Sequence, residues 1–594
     1  MHNILYNLSK NKEIKVCRMD KGVGIVVMDA GDYFTKLDSI INDTSRFKLI
    51  DYNINSKSLQ DCLSAPWICK ENSIIRYCQK QIAPLVDDNT YRKIYPTGSQ
   101  PGKLYGTAKN HKANCPLRPV LSAVQTPEYG LAKWLESKLR PFLDNRYSVA
   151  SSKSFVDEIS QLKPRQSDVI VSYDIKSLYT NVPLKEVIDD IAHTVYSESA
   201  ISTFFIDSGI KYRVFKNMLK VCSESIFVYN DKVYKQIDGV AMGSPLAPLL
   251  ADWFVSKIEN TILADQRNSS CKPKMYKRYV DDIFALFGSK RERDDFFQVL
   301  NSAHPNLKFT METTTGALPF LDVTISIEED GFNTGVYRKP TNTDVILNYH
   351  SVAPTKWKRS LIKCLLTRAY RLSSNINLFM SEVEKIKNIL QRNSYPSAFI
   401  DRNIEEFLSS HSINENSFKN VGIGKEEQPE KSQESYITIP YIGKPSLKFQ
   451  RKIQDHMLKR HDVAIRSAYT TTKVSSYFSL KSKCSPLFKS NIVYKFTCSE
   501  DRNTSYIGES RRQLVRRIEE HRSGSDKNSA IFNHLYQCVT CQNVKNVTDS
   551  FEIMESCKWY NILTIEAMMI STHCPILNTQ LGPSRGKMTT FSVL

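Results

Sequence analysis

The sequence predicts a multidomain α+β protein, and three observations point there. Strand-like and helix-like stretches alternate over 594 residues, enough chain for several domains and a large core. The apolar fraction of 41% and charged fraction of 24% belong to a globular chain, not a disordered one. The third observation is an acidic pair, Asp281-Asp282, between apolar and aromatic flanks that run from Arg278 to Phe287. Such flanks read as two short strands with the acids at the bend. A lone acidic pair is commonly a solvated turn. Here the flanks press two carboxylates together, which is costly without a cation, and Mg²⁺ is the hard partner carboxylates suit.

The formal charge is +19 on a chain with 29 Tyr and 27 Phe, a balance that suits a polyanionic partner. Fourteen scattered Cys form no dense framework and no signal peptide is evident, so a reducing compartment is expected. No apolar run is long enough to cross a bilayer, so no membrane role is expected.

The chain opens with polar helix-like sequence. Asp20-Lys21-Gly22-Val23-Gly24 then leads into a strand at Ile25–Met28, as a phosphate-handling loop or, more commonly for such motifs, a simple turn. A hairpin fits 104–123, and its Lys109, Lys112 and Arg118 could converge on triphosphate oxygens. A helix from Tyr129 to Phe142 turns Leu131, Trp134, Leu135 and Leu139 to one side. The β-branched run from Asp168 delivers Asp174 at its end, with Tyr179 five positions on, and a helix follows Pro183. Residues 236–250 place Gln236, Gly239 and Gly243 before a long apolar helix reaching about Ile262. The glycines would let backbone approach a flat ligand such as a base pair. A charged helix at about 289–301 precedes one strand over Leu318–Ile327. Residues 356–371 carry six cations and no acid at helical spacing, with Trp357, Leu361, Leu365 and Arg368 recurring, as a duplex-tracking helix or a solvated face.

From about 400 the composition shifts. Residues 411–435 read as a flexible linker, and a basic helix is expected over Leu447 to Ala468. The last block, about 488–594, begins with a strand at Asn491–Cys498. It continues through Ser505-Tyr506-Ile507-Gly508, a helix Leu514–His521, then His534, Cys538, Cys541, Glu566 and Asn578. The Cys538-x-x-Cys541 spacing suits Zn²⁺, with His534 and either Cys498 or Cys557 completing the set.

The hairpin at Arg278–Phe287, with Asp174 and Gly239–Pro245, resembles the palm of a reverse transcriptase. Asp20-Lys21-Gly22, Pro116-Leu117-Arg118-Pro119, Ser177–Pro183 and Ala241–Ala247 resemble Penelope-like retroelements, whose polymerase core is similar to telomerase. The C-terminal block resembles a GIY-YIG endonuclease, which that family carries in this position. The resemblance is colinear over nearly the whole chain. It departs at Ile492-Val493-Tyr494, which lacks the family's glycine, and at a family Cys pair reduced here to Cys498. The chain starts almost at the first finger motif, so the family's N-terminal extension is expected to be short or missing.

The resemblance implies a right-hand polymerase with fingers and the start of the palm over 1–165, palm over 166–330 and thumb over 331–400. A linker and helical connector (401–487) and a small α/β GIY-YIG nuclease (488–594) follow. It implies that Asp174, Asp281 and Asp282 hold two Mg²⁺ about 3.5–4 Å apart. Lys109 and Arg118 would bind the incoming deoxynucleoside triphosphate and Tyr179 would exclude a ribose 2′-hydroxyl. Gln236, Gly239 and Gly243 would back the template and nascent pair. In the nuclease Tyr494 and Tyr506 would position or deprotonate water, Arg517 would steady the phosphate, and Glu566 would ligate one Mg²⁺. His521 lies one helical turn beyond Arg517, and Asn578 would help fix the site. The implied partners are template RNA and primer or target DNA, and the implied location is the nucleus after cytoplasmic synthesis. Two other functions fit less of the sequence: a telomerase-like polymerase with a vestigial nuclease, and a domesticated nucleic-acid-binding protein.

Overall fold

The computed structural model describes residues 2–21, 24–110, 112–197, 203–314, 316–329, 331–411, 413, 435–461, 465–471, 473–478, 481, 484–525 and 529–578. The linker expected at 411–435 lies almost wholly outside them. No helix among the described residues is long and apolar enough to cross a membrane.

Strands β1 (Ile14–Arg18) and β2 (Ile25–Asp29) form an antiparallel hairpin with Asp20-Lys21 toward its tip. Strand β3 (Phe47–Ile50) joins a five-stranded sheet with β4 (Gly102–Ala108), β5 (Leu117–Ser122), β7 (Ile226–Tyr229) and β8 (Lys232–Gln236), in the order β3-β8-β7-β4-β5. Helix α1 (Pro66–Tyr77) starts with proline, whose missing N–H costs nothing in a first turn. Helix α2 (Tyr129–Leu139) buries Leu131, Trp134, Leu135 and Leu139, the four residues its periodicity picks out.

The palm is a four-stranded antiparallel sheet of order β11-β6-β10-β9, from β6 (Val169–Ile175), β9 (Met275–Tyr279), β10 (Asp282–Phe287) and β11 (Phe309–Thr313). Period-two alternation assigns its two faces. Val171, Tyr173, Ile175, Ile283, Ala285 and Phe287 join the main core with helix α3 (Ala247–Ala264). Ile170, Phe284 and Leu286 join a second core beneath β12 (Leu318–Phe320), β13 (Val323–Glu328) and β14 (Gly331–Val336). The single strand expected over Leu318–Ile327 is thus two, because Leu321 takes a positive φ of 57° and the chain doubles back.

Helices α4 (Thr355–Leu372), α5 (Ile376–Arg392) and α6 (Ser397–Ser410) share a compact core. The buried stripe of α4 is Lys358, Ile362, Leu366 and Ala369, one position on from the stripe the spacing suggests, and Trp357 is exposed. Strands β15 (Ser435–Pro440) and β16 (Ile465–Thr470) pair in parallel around helix α7 (Lys444–His461). The helix expected to reach Ala468 therefore stops earlier, and the β-branched and aromatic positions near Ile465 and Tyr469 become strand.

The C-terminal block has β17 (Ile492–Thr497), β18 (Ser505–Ser510) and β19 (Phe551–Ser556) in the order β18-β17-β19. Helices α8 (Leu514–Ser523), α9 (Ala530–Gln537) and α10 (Ile562–His573) accompany them. Its core runs into the N-terminal region: Trp67 meets Phe488 edge-on at 4.8 Å between ring centres, in one cluster with Leu59, Ile68, Tyr494, Leu514 and Ile518.

Candidate active sites

The register of two strands brings the polymerase acids together. Asp282 lies directly across from Asp174 in the antiparallel β6–β10 pair, so both side chains leave the same face. That face carries Phe284 and Ile170 further along, so the acids sit at the rim of an apolar layer. Val280 takes a positive φ of 58° in the turn, and the Asp281 carbonyl accepts from Ile175 N–H at 3.0 Å, which ties the turn to β6. Burial, then Asp281 and Asp174, push the Asp282 carboxyl up to about 6. Burial and Asp281 raise Asp174 as well. Three carboxylates that repel one another on one rim are the donor set a hard divalent cation satisfies.

Cations ring these acids. Lys21, Lys112 and Arg118 oppose the upward shift of Asp174, and Lys21 and Lys339 that of Asp282. Burial and then the Arg118 and Lys112 charges lower the Lys109 ammonium. The Asp20-Lys21 loop is organised by more than a turn: Asp20 N–H donates to Ala108 carbonyl at 2.8 Å and its carboxylate meets Arg118 at 3.2 Å. Tyr179 follows Ser177, which has φ +53°, and its phenol is raised by burial and then by Asp252 and Asp281. Gln236 is turned inward, its amide donating to Asp238 carbonyl at 3.2 Å. The glycines serve contacts between loops. A Cβ on Gly243 would stand 2.1 Å from Leu121 carbonyl, and one on Gly239 2.9 Å from Thr180 carbonyl. The close approach they permit in this structure is to protein backbone.

Sequence reasoning gave no role to Arg278, which is buried at 1% exposure. Its Nε meets Glu259 at 2.8 Å, Nη1 reaches Asp252 at 2.9 Å and donates to Val280 carbonyl at 3.1 Å, and Nη2 donates to Ser256 at 3.0 Å. The turn holding the acids is thereby bolted to α3. Asp252 and Glu259, seven apart on a largely buried helix, were the available signal.

A second constellation sits on the C-terminal sheet. Tyr494 faces Gly508, and Phe496 faces Tyr506, so both tyrosines share one face. A Cβ on Gly508 would stand 2.6 Å from the Tyr506 ring and 2.8 Å from Tyr494 Oη, so glycine makes room for both rings. Tyr494 Oη lies 2.7 Å from His521 Nε2 and accepts from Arg517 Nε at 3.1 Å, while His521 Nδ1 lies 2.6 Å from Ser529 Oγ. Burial and then Arg517 lower His521 to about 3, so it is neutral. It can donate from Nδ1 to Ser529 and accept the phenol proton at Nε2. Burial raises Tyr494, Arg517 opposes that, and the Glu566 charge on α10 reaches it. Asn578 pairs with the outer edge of β18: its Oδ1 accepts from Ile507 N–H at 2.8 Å and its Nδ2 donates to Ile507 carbonyl at 2.7 Å.

A third cluster lies beside it. Cys498, His534, Cys538 and Cys541 hold their ligand atoms within 4.8 Å of one another. Cys498 Sγ is 3.5 Å from Cys541 and 3.9 Å from Cys538, and His534 Nε2 is 3.7 Å from Cys541. Two thiolates on a tetrahedral zinc at about 2.3 Å stand about 3.8 Å apart, so the set fits. Cys557 is elsewhere, donating its N–H to Asn491 carbonyl.

Comparison with known proteins bears on the stretch of chain that holds the first site. Residues 111–314 match the reverse transcriptase (RNA-dependent DNA polymerase) family, which makes this stretch a reverse transcriptase domain. Residues 345–405, spanning most of the three-helix bundle, match an animal helix-turn-helix domain. No curated protein matches the chain. Among solved structures, telomerase from Candida albicans in complex with a TWJ fragment of telomeric RNA is similar at TM-score 0.36 and 11% identity. That match covers 64% of this chain and 70% of that one. Telomerase from Candida tropicalis in complex with a TWJ fragment gives 0.37 and 12%, covering 67% and 62%. The Sicinivirus 3Dpol RNA-dependent RNA polymerase gives 0.33 and 12%, covering 69% and 84%.

Proposed function

We propose that this chain is the protein of a Penelope-like retroelement, which nicks DNA through residues 488–578 and copies RNA from the released 3′ end. The observation that carries the reading is the presence of two separate constellations on one basic chain. Asp174 and Asp282 are paired across β6–β10, and Tyr494, His521 and Arg517 are joined by hydrogen bonds.

For polymerisation, Asp174, Asp281 and Asp282 would hold two Mg²⁺, which when bound supply activation of the primer 3′-hydroxyl and stabilisation of the pyrophosphate. Lys21, Lys112 and Arg118 act on that rim, with Lys109 beside them, and the four would neutralise the triphosphate. Arg118 exchanges its contact with Asp20 for a phosphate oxygen. Tyr179 stands close enough to feel Asp281, where its ring would meet a ribose 2′-hydroxyl. The helix-turn-helix bundle presents exposed Lys356, Arg359 and Lys363, which would follow a duplex backbone with salt-sensitive affinity.

For cleavage, neutral His521 would accept the hydrogen bond of the Tyr494 phenol and so orient it, with Tyr506 on the same face, toward the attacking water. Arg517, held beside the phenolic oxygen, would offset the negative charge that develops on the phosphate. Glu566 would ligate the single Mg²⁺ of this site. Cys498, His534, Cys538 and Cys541 would bind one structural Zn²⁺, joining β17 to α9 and the short helix Val539–Gln542.

The test is deoxynucleotide incorporation on an RNA template with a DNA primer, beside plasmid nicking, in Mg²⁺. Incorporation lost in Asp281→Ala and nicking lost in Arg517→Ala support both halves. Incorporation without nicking favours a telomerase-like polymerase with an inert nuclease. Neither activity, with nucleic-acid binding retained, favours a binding protein.

A further inference from the structure

Glu71 is a buried carboxylate of the N-terminal region whose side-chain partners both come from the C-terminal block. It lies in α1 at 2% exposure. Gln513 Nε2 donates to its Oε2 at 2.5 Å and to Ser99 carbonyl at 2.9 Å. The Arg516 guanidinium lies 3.7 Å from the same carboxylate and donates to Asn72 Oδ1 at 2.6 Å. Burial raises the Glu71 carboxyl, and Gln513, Arg516 and the N–H groups of Ser99 and Gly98 hold it back.

Gln513 occupies the N-cap position of α8 but does not cap its own helix; its fully buried amide crosses to Glu71 instead. Next to it, Ser490 donates to Gly98 carbonyl at 2.9 Å, and a Cβ on Gly98 would come within 2.3 Å of Ser490. Both sides of this contact lead to chemistry. The residue after Arg516 is Arg517, which reaches Tyr494. The segment at Ser99 runs into β4, which ends beside Lys109.

We propose that Glu71 is a positioning residue for the nuclease. It fixes the first turn of α8, and with it Arg517 against Tyr494, so that cleavage requires the polymerase fingers and the two centres form one rigid body. This rests on the reading of 488–578 as a nuclease. The nicked 3′ end then reaches the palm by movement of the DNA and not by a swing of the domain. A buried carboxyl group is costly without the partners that satisfy it, so the contact is selective for this docking.

The experiment uses the full chain. Plasmid nicking kinetics are compared for wild type, Glu71→Ala and Glu71→Gln, with extension of a pre-annealed primer as control. Amide hydrogen exchange is followed over 514–523. Glu71→Ala is expected to lower nicking kcat about a hundredfold, the scale of an ångström-level misplacement, with KM for DNA unchanged. Glu71→Gln keeps an acceptor for Gln513 and is expected to retain most activity. Extension is expected to persist, and exchange over 514–523 to quicken in Glu71→Ala only. Wild-type nicking and exchange in Glu71→Ala would overturn the proposal. If the wild-type chain does not nick, the nuclease reading falls by itself, and exchange still decides whether Glu71 holds α8. Arg516→Ala supplies the same readouts should Glu71→Ala not fold.

Discussion

Arg278 and Glu259 meet at 2.8 Å with neither side chain more than 3% exposed. The pair joins the strand before the acidic turn to the helix beneath it, and Tyr276 Oη donates to the same carboxylate at 2.9 Å. Arg278→Ala leaves the Glu259 carboxyl buried without its cation, and a cost of about 3–5 kcal/mol is expected. Lysine offers neither the planar fork nor the five donors, so Arg278→Lys should rescue little. Urea unfolding of both variants, beside primer extension, checks this. Wild-type stability in Arg278→Ala would refute the role.

The raised Asp282 carboxyl gives a pH signature. The folded metal-free protein keeps a proton on Asp282 up to about pH 6, whereas the unfolded chain loses it near 4. Its contribution therefore makes metal-free stability fall as pH rises through that window. Mg²⁺ needs the deprotonated form, so its binding near pH 6 should release protons and weaken on further acidification. Calorimetry at pH 6 and 8, in buffers of different ionisation enthalpy, measures the proton count. Equal counts at the two values would contradict the prediction.

Gly508→Ala places a methyl group between two tyrosine rings. Nicking should fall about a hundredfold through misplacement of Tyr494 and Tyr506, with extension from a pre-annealed primer retained. A parallel loss of both activities would mean that the sheet had failed as a whole.

Purified chain should carry about one zinc ion if the four-ligand set is used. Cys541→Ser should lose that zinc and lower the unfolding temperature, as measured by elemental analysis and calorimetry. Zinc retained in the variant would point to other ligands.

Much of this was legible because strand periodicity carries it. The β-branched run before Asp174 and the flanks of Asp281-Asp282 specify two strands, and pairing in register brings the acids together. The Tyr494–Gly508 pairing follows in the same way. What was hidden depends on long-range contact. Nothing local says that Arg278 turns inward to Glu259, or that Gln513 crosses to Glu71. Gly243 signals an unusual backbone, but only the fold shows that Leu121 is what it approaches. The choice between Cys498 and Cys557 needed the position of β17. The break at Leu321 lies where the alternation changes phase, from Leu318 and Phe320 to Val323 and Ile325, and a shift that short is easily passed over because both sets face the same core.

Strand β18 is the edge of its sheet, and an open edge invites another chain to add a strand. Asn578 occupies that place with one side chain, satisfying both backbone groups of Ile507, while Leu577 N–H serves Ser505 carbonyl at 3.0 Å. The tail thus acts as a stopper. It blocks self-association along the strand that carries Tyr506, and among the described residues no further strand lies along that edge.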